Sequence, residues 1–581
     1  MSKIDWIVLG LTLLAIITYG LYKSRTSKDL DGYFLSNRSM PWYLVLLSIM
    51  GTQASAITFL SAPGQAFTDG MRFVQYYFGL PLAMVVLCIT FVPRFSKLRV
   101  FTAYEFLEKR FDLKTRMLTS FLFLLQRGLS TGISIYAPSI ILSSLLGWNI
   151  FLTNIIMGGL LIIYTVSGGA KAVAYTQQLQ FVIIFIGMFL AGYMIVHQLP
   201  EGVGFIDALK VSGASGKLNV ITTGVKNGSF DWNDRYNIFS GVIGGFFLAL
   251  SYFGTDQSQV GRYLTAKNNT ESKIGLLMNG LVKVPMQFFI LLIGALLFTF
   301  YQFKPSPVFH NRAVEEQAYK TPYRDSLQTI KQSYNAINLQ QNKLSMGYVK
   351  SLHNDASLND ESFKDSLHQA DATMQQLRTT YKDYIRKALP LADNNDTNYI
   401  FLRFVVDYLP VGLVGLLIAI IFLAAWGSIA AALNSLASCT MIDFHQRFRK
   451  KDDDEHPEVM SEREYKTSRW YTFAWGIFCI IVAQFANRMG SLIEAVNVLG
   501  SLFYGVILGI FLVAFYIKRI GGKAVFWSAV VSEIAIIALF LLNQNGIIGL
   551  SFLWLNVVGA LLVVIIALVL QGFANAPKSV S

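Results

Sequence analysis

A chain of 581 residues that is 54% hydrophobic and only 14% charged, with a mean hydropathy of +0.47, carries too few charges for a soluble globule. Its net charge of +13 does not mark a nucleic-acid binder, because the Lys and Arg fall in loops on alternate sides of apolar stretches and no arginine-rich tract with interleaved aromatics occurs. Cys88, Cys439 and Cys479 lie in or beside apolar stretches at no metal or redox spacing, and read as small buried hydrophobes.

Thirteen apolar stretches, each long enough to cross ~30 Å of hydrocarbon, lie near 4–22, 41–62, 73–92, 117–145, 149–167, 176–197, 239–260, 276–301, 411–438, 470–488, 491–517, 524–542 and 549–571. The first is followed by Lys23, Arg25 and Lys28, without a charged leader or a small-residue cleavage site, so it reads as a retained helix. The second holds Ser48, Gly51, Thr52, Gln53, Ser55 and Thr58, too polar a set to face lipid. Such a segment either packs small residues against another helix or is unwound, with carbonyls for an ion and side chains for a solute.

The fourth stretch carries Arg127 within Leu125–Thr131. A charge at that depth is costly and marks a functional-site hypothesis; a guanidinium grips a carboxylate through two parallel bonds. The alternative is an arginine capped by helix carbonyls or snorkelling to an edge. Ser55, Thr58 and Gln75, on the second and third stretches, are expected to complete a polar pocket. Asp256, at the end of the seventh, is expected to pair with Arg262 or another loop base.

Residues 303–400 are polar. Leu327, Ile330, Tyr334, Ile337, Gln341, Leu344 and Tyr348 recur at spacings of three and four, as do Phe363, Leu367, Ala370, Met374, Leu377 and Tyr381, with a turn predicted between His353 and Asp360. That predicts an antiparallel helical hairpin, either a stabilised insertion or a docking surface for a protein partner. The ninth stretch, Ala424 to Ser435, reads as a second interruption, with small residues and the Ser428 hydroxyl; with the second stretch it offers hard oxygen ligands of the kind sodium needs. Glu494 and Glu533 read as edge or packing residues, leaving proton coupling through one of them open.

Loops 23–40, 93–116, 261–275, 441–469 and 517–523 together hold 24 Lys and Arg, whereas the short loops on the other side hold one, Arg72. The bias places the N-terminus outside and the C-terminus inside a plasma (inner) membrane. No GxxxxGK[ST] loop, HExxH or nucleophile elbow occurs, so neither ATP-driven transport nor an enzyme is supported. With ten residues after the last stretch, no soluble output domain is expected.

Five pieces in order then carry a resemblance: Thr102–Phe111, Ser167–Val173, Gly254–Leu264, Leu433–Ser435 with Met441–Asp443, and Leu499–Ser501 with Gly505 and Gly509. The chain resembles the sodium:solute symporter family along nearly all its membrane part; the 303–400 segment is not part of the family pattern. The resemblance implies an all-α polytopic membrane protein with a LeuT-like core of five plus five helices in inverted repeat, spans two to six and seven to eleven, and alternating access driven by sodium. It implies sodium ligands at Gly51, Ala54, Ala424, Gly427 and Ser428, with one hydroxyl missing because position 427 is glycine. An aspartate usual in the family a few residues after the Gly-Gly pair is replaced by Tyr175-Thr176-Gln177. Sugar-carrying relatives of the glucose type use acidic or amide residues where this chain has Ile57, Thr58 and Ala249, but Tyr252, an inner gate, and Lys283 are kept. The expectation is therefore a sodium-coupled symporter for a small polar, carboxylated solute such as a sialic or sugar acid, bound by Ser55, Thr58, Gln75, Arg127, Tyr252 and Lys283. Sodium is co-transported and no organic cofactor is implied. The alternatives are a proton-coupled or uncoupled carrier on the same scaffold, or a transporter-like sensor. Three regions are expected: membrane domain 1–302, an extracytoplasmic insertion 303–400, and membrane domain 401–581.

Overall fold

The computed structural model describes residues 1–23, 30–353, 360–390, 392–448, 457–486 and 491–575. Within them the chain is almost wholly helical, with one two-stranded antiparallel ribbon, β1 (Val225–Lys226) and β2 (Ser229–Phe230). In chain order the helices begin with α1 (Lys3–Lys23), α2 (Leu30–Leu35), α3 (Trp42–Gln53) and α4 (Ala56–Asp69). A tight turn of helix at Met71–Tyr77 leads to α5 (Leu80–Leu98), α6 (Glu105–Arg110), α7 (Leu113–Leu146), α8 (Ile150–His197) and α9 (Phe205–Ala214). A wide turn at Ser240–Gly244 opens α10 (Gly245–Thr255), followed by α11 (Gln257–Tyr263) and α12 (Asn269–Phe303). Then come α13 (Arg312–Ala318), α14 (Arg324–His353), α15 (Asp360–Ala388) and α16 (Ile400–Tyr408). The rest is α17 (Leu413–Cys439), a short α18 (Gln446–Phe448), α19 (Pro457–Ala483), α20 (Leu492–Tyr516), α21 (Gly522–Gln544) and α22 (Phe552–Asn575).

Among the described residues eight helices are long and apolar enough to cross a membrane, or nine if α3 and α4 count as one bent span. The apolar stretches Ile150–Val166 and Ser240–Thr255 are shorter. Of the motif at Ser167–Val173, the side chains of residues 167–172 lie outside the described set, as does the interior of the turn expected between His353 and Asp360.

The bundle is organised about α17, which is buried along its whole length and packs against α8, α7, α1 and α19. Its alanine-rich surface is what lets so many helices approach. Asp5 of α1 caps its start, accepting from the Gly412 amide at 2.6 Å and the Gly415 amide at 3.3 Å, a carboxylate at the positive end of a helix. At its other end Asp443, fully buried, accepts from Arg116 Nε (2.8 Å) and Nη2 (2.6 Å), from Thr102 Oγ1 (2.8 Å) and from Ser120 Oγ (2.8 Å). The Gln257 amide joins the same end through Ala103 N–H and Phe101 O. Three of the sequence motifs thus meet as one hydrogen-bonded collar, and the buried charge pair is tolerated because its donors and acceptors are used.

One sequence expectation is corrected here. Ala424–Ser435 was read as a second interruption, yet α17 runs through it unbroken. Alanine is the best helix former, a single glycine costs only ~1 kcal/mol in a helix, and the packed neighbours hold the ladder.

Helices α14 and α15 pair antiparallel: Tyr323, directly before α14, meets the Tyr384 ring near one end, Gln341 bonds Asp371 midway, and Gly347 faces the Phe363 ring at the other end. Their seam buries Leu327, Tyr334, Tyr348, Leu367, Met374 and Tyr381. The pair rests on α12 and α9. Just beyond it, Asp396 gathers Arg378 (2.7 Å), Lys382 and His310 (2.9 Å), each on a side chain that burial would otherwise strand.

Close helix contacts carry a testable cost. A Cβ on Gly294 of α12 would sit 2.2 Å from the Pro63 carbonyl of α4. Gly294→Ala should lose about 1–3 kcal/mol, read as a lower melting temperature in detergent, whereas Gly159→Ala, with nothing within 4 Å, should not. A second test uses pH. Burial, aided by the nearby Asp396 charge and opposed by the Asn395 amide, pushes the Asp393 carboxyl up to about 7 from 3.8. The folded state therefore holds a proton that the unfolded chain has lost, so this contribution is complete below pH ~4 and fades as pH rises through 7. Asp393→Asn should melt higher than the parent above pH 7 and alike at pH 4.

Candidate functional site

Helices α3 and α4 meet at a 60° bend, with Ala54 and Ser55 out of the helical region. Here the Ala54 amide still bonds Met50 O (2.7 Å), but the Ser55 amide turns to Gln53 O (3.0 Å) and the Thr58 amide to Ser55 O (2.9 Å). The last carbonyls of α3 and the first amides of α4 are left without in-helix partners. The polar run from Ser48 to Thr58 is needed because the chain opens its ladder there.

The bend borders a cavity of about 110 Å³ walled by α3, α4, α7, α10, α17 and α20. Ser55, Thr58, Arg127, Tyr252 and Ser428, all anticipated from sequence, line it. Arg127 is buried; its guanidinium lies 3.7 Å from Asp256 Oδ2 and 5.9 Å from the Tyr252 ring centroid, and it shares a hydrogen bond with the Tyr252 side chain. Its Nε has no partner among the described residues. Asp256 is held elsewhere: Tyr504 Oη donates to Oδ2 at 2.7 Å, and the Ser258 amide and hydroxyl donate to Oδ1 at 2.8 and 2.5 Å. Arg262, the base expected to pair with it, instead reaches Ser258 O and Ala431 O. Arg127 thus keeps an unclaimed Nε for whatever enters the cavity.

Two anticipated residues stand outside the lining. Gln75 lies in the turn Met71–Tyr77 with both amide ends spent, accepting from the Thr222 amide (3.1 Å) and donating to Thr222 Oγ1 (3.0 Å), Arg72 O and Tyr236 O (3.2 Å each). It pins the loop before α10. Lys283 of α12 is fully buried behind Tyr77, its Nζ 5.7 Å from that ring. Sequence reasoning passed over Tyr76, Tyr77, Gln126, Asn497 and Tyr504, which also line the cavity. Ser130 and Thr131, one turn beyond Arg127, were visible as a hydroxyl pair; a tyrosine in an apolar helix such as α20 carries no signal that separates pocket from core.

Beside the cavity, the positions carried over for a sodium ion lie along α3 and α17. Ala54 stands at the break, and Ser428 Oγ bends back onto Ala424 O (3.0 Å) and Ala425 O (3.1 Å) of its own helix. Between Gly51 and Gly427 lies Gln177 of α8. Ser48 Oγ donates to its Oε1 at 3.1 Å, and its Nε2 donates to Gly427 O at 3.1 Å and Thr52 Oγ1 at 3.4 Å. A Cβ on Gly51 would meet Gln177 at 2.9 Å, and one on Gly427 would meet Gln180 Oε1 at 2.7 Å. The absence of side chains on α3 and α17 is what admits the amide. Gln177→Leu, similar in size, strands the Ser48 hydroxyl and removes a second donor from the Gly427 carbonyl, and should cost about 1–2 kcal/mol, read by thermal unfolding; an unchanged midpoint would deny the bridge any structural weight.

The model of the family described as "Sodium:solute symporter family" matches residues 33–321 and 384–532. The chain is 25% identical over 581 residues to the sodium/sialic acid symporter NanT of Aliivibrio fischeri, covering 99% of this chain and 93% of that protein. It is 26% identical over 567 residues to the sodium/sialic acid symporter SiaT of Proteus mirabilis, covering 97% and 93%. Among solved structures it is similar to the substrate-bound, outward-open state of a Na+-coupled sialic acid symporter, with a TM-score of 0.73, 24% identity and 98% of both chains covered.

Proposed function

Because the chain belongs to the sodium:solute symporter family, we propose that it imports a small carboxylated sugar of the sialic-acid class by alternating access at the cavity beside the α3–α4 bend. The protein is a membrane transporter and not an enzyme, and sodium is the ion it moves with its solute. The observation that carries the solute reading is Arg127: a buried guanidinium lining the cavity, with one 3.7 Å ionic contact and Nε unclaimed. A carboxylate would take two parallel bonds from it, and the surrounding Ser55, Thr58, Gln126, Ser130, Thr131 and Asn497 suit hydroxyl groups. The names of the two full-length relatives point to the same solute class.

The sodium positions follow the same logic. Carbonyls of Gly51, Ala54 and Ala424 and the hydroxyl of Ser428 would supply oxygens, with Ser428 rotating off its own helix, and Gly427 adds no hydroxyl. Tyr252, with Gln259 donating to its hydroxyl at 2.7 Å, would close the cavity from one side; Lys283 and Gln75 act behind the walls.

The architecture fits a five-plus-five core. The first helix of each repeat is interrupted, α3–α4 by its bend and the α10 segment by the wide turn at Ser240–Gly244 and the break at Asp256. Helices α1 and α19, with lipid-ready faces at Ile4, Ile7, Leu11 and Leu14 and at Phe473, Ile477 and Ile481, join the two shorter stretches to make up the thirteen spans. The charge bias puts the N-terminus and residues 303–400 outside and the C-terminus in the cytoplasm, with membrane parts 1–302 and 401–581 on either side of the insertion.

Two variants test this in proteoliposomes. Arg127→Lys replaces a fork with a point charge and should lower sodium-driven uptake of sialic acid at least tenfold, and Arg127→Ala should abolish it; unchanged uptake rejects a carboxylate at this residue. Gly427→Ser adds a hydroxyl beside the proposed sodium positions, displacing the flexible end of Gln180 and pressing on Gln177 Cγ at 3.2 Å. It should lower the sodium concentration for half-maximal uptake several-fold.

A further inference from the structure

A second cavity, of about 240 Å³, lies where α14 and α15 meet the ends of α4 and α12 and the loop after α9. It is distinct from the cavity at the bend: Thr58 lines one and Phe67 the other, roughly 14 Å apart along α4 at 1.5 Å per residue. One wall is aromatic, with Phe67, Phe298 and Tyr301. Cationic and amide side chains stand among these rings, Arg378 lying 5.9 Å from the Phe67 ring centroid. Lys217 is buried with its Nζ on Thr68 O at 2.7 Å and 4.8 Å from the Phe298 ring. Arg378 gives Nη2 to Asp396 at 2.7 Å, while its Nε has no partner among the described residues. The Tyr301 hydroxyl is buried at 2% exposure and likewise unpartnered. One acid faces the space, Asp371, and the amides of Gln302 (3.1 Å) and Gln341 already occupy its Oδ1.

Unused buried donors cost free energy that folding alone does not return, and here two of them border the same void. Aromatic faces receive the C–H face of a sugar ring, amides and phenols its hydroxyls, and Lys217 with Arg378 its negative charge. We propose that this cavity is a second binding site for a monocarboxylated sugar, built jointly by the insertion and the membrane core and separate from the transport site. The class of ligand rests on the proposed function; the cavity and its donors do not. A solute held here before it reaches the bend would be concentrated at the entrance, so the insertion would serve capture as well as cover.

The test is calorimetric titration of the purified full-length protein with N-acetylneuraminate and with glucuronate, with glucose as the neutral control, in sodium and in choline chloride. Arg127→Ala removes the grip of the inner site. Lys217→Met removes the outer cation, and Thr379→Trp fills the outer cavity from an exposed position without touching its buried bonds. The expected result is residual, sodium-independent binding of the acids to Arg127→Ala, weakened at least tenfold by adding either outer substitution, and no binding of glucose. A parent protein that binds one equivalent, lost entirely in Arg127→Ala and untouched by Lys217→Met and Thr379→Trp, overturns the second site and leaves the transport reading intact. Binding that survives Arg127→Ala undiminished and disappears with both outer substitutions upholds the second site while rejecting the inner one. No binding of either acid to any form rejects both.

Discussion

At Ala54 and Ser55 the helical ladder stops inside a stretch that must cross hydrocarbon, and the carbonyls and amides it releases have to be met by something other than lipid. The rest of the molecule is arranged around that demand. Helix α17 stays unbroken and buried to give the bend a fixed wall, α8 reaches in with Gln177, and α7 brings Arg127 to the open side. Each partner is itself tied down: α17 by Asp5 at one end and Asp443 at the other, Asp256 by Tyr504 and Ser258. A bend in lipid is expensive, so it persists only where the surrounding packing holds it.

Much of this could be read from the chain. Hydroxyls, an amide and a glycine within Ser48–Thr58 mark the bend because no lipid-facing helix carries them, and Arg127 marks the cavity because no apolar reason exists for it. Other features were hidden for physical reasons. Small residues permit either a break or close packing, and only the neighbours decide; at Ala424–Ser435 they decided for an intact helix. Gln75 looks like a binding residue by composition, but its role depends on Thr222 and Tyr236, about 150 positions away, whose approach no local pattern encodes. Tyr504 was invisible for the converse reason, since α20 is apolar enough to bury it as ordinary core, whereas Asn497, an amide in the same apolar helix, was a signal passed over.

Gln177 shows how a substitution in a familiar place changes the local physics. An ionised side chain there would have needed a counter-charge; an amide can donate to Gly427 O and accept from Ser48 at once, satisfying both helices with no net charge. The bridge therefore holds α3 to α17 on hydrogen bonds that solvent cannot screen, next to the positions proposed for the sodium ion.

Helix α12 joins two regions usually treated apart. It packs on α3, α4 and α5 along most of its length, and its last turn is held by both α14 and α15, Gln302 donating to Asp371 of α15 and accepting from Ser345 of α14. At 1.5 Å per residue its 35 residues make a rod of about 50 Å. Such a rod is a lever: a tilt of a few degrees at the core displaces its far end by several ångströms, and α14 and α15 travel with it as a pointer. The paired helices are then a gauge of α12, and a pair of spectroscopic labels on their exposed faces would follow its tilt without a probe placed in the apolar bundle.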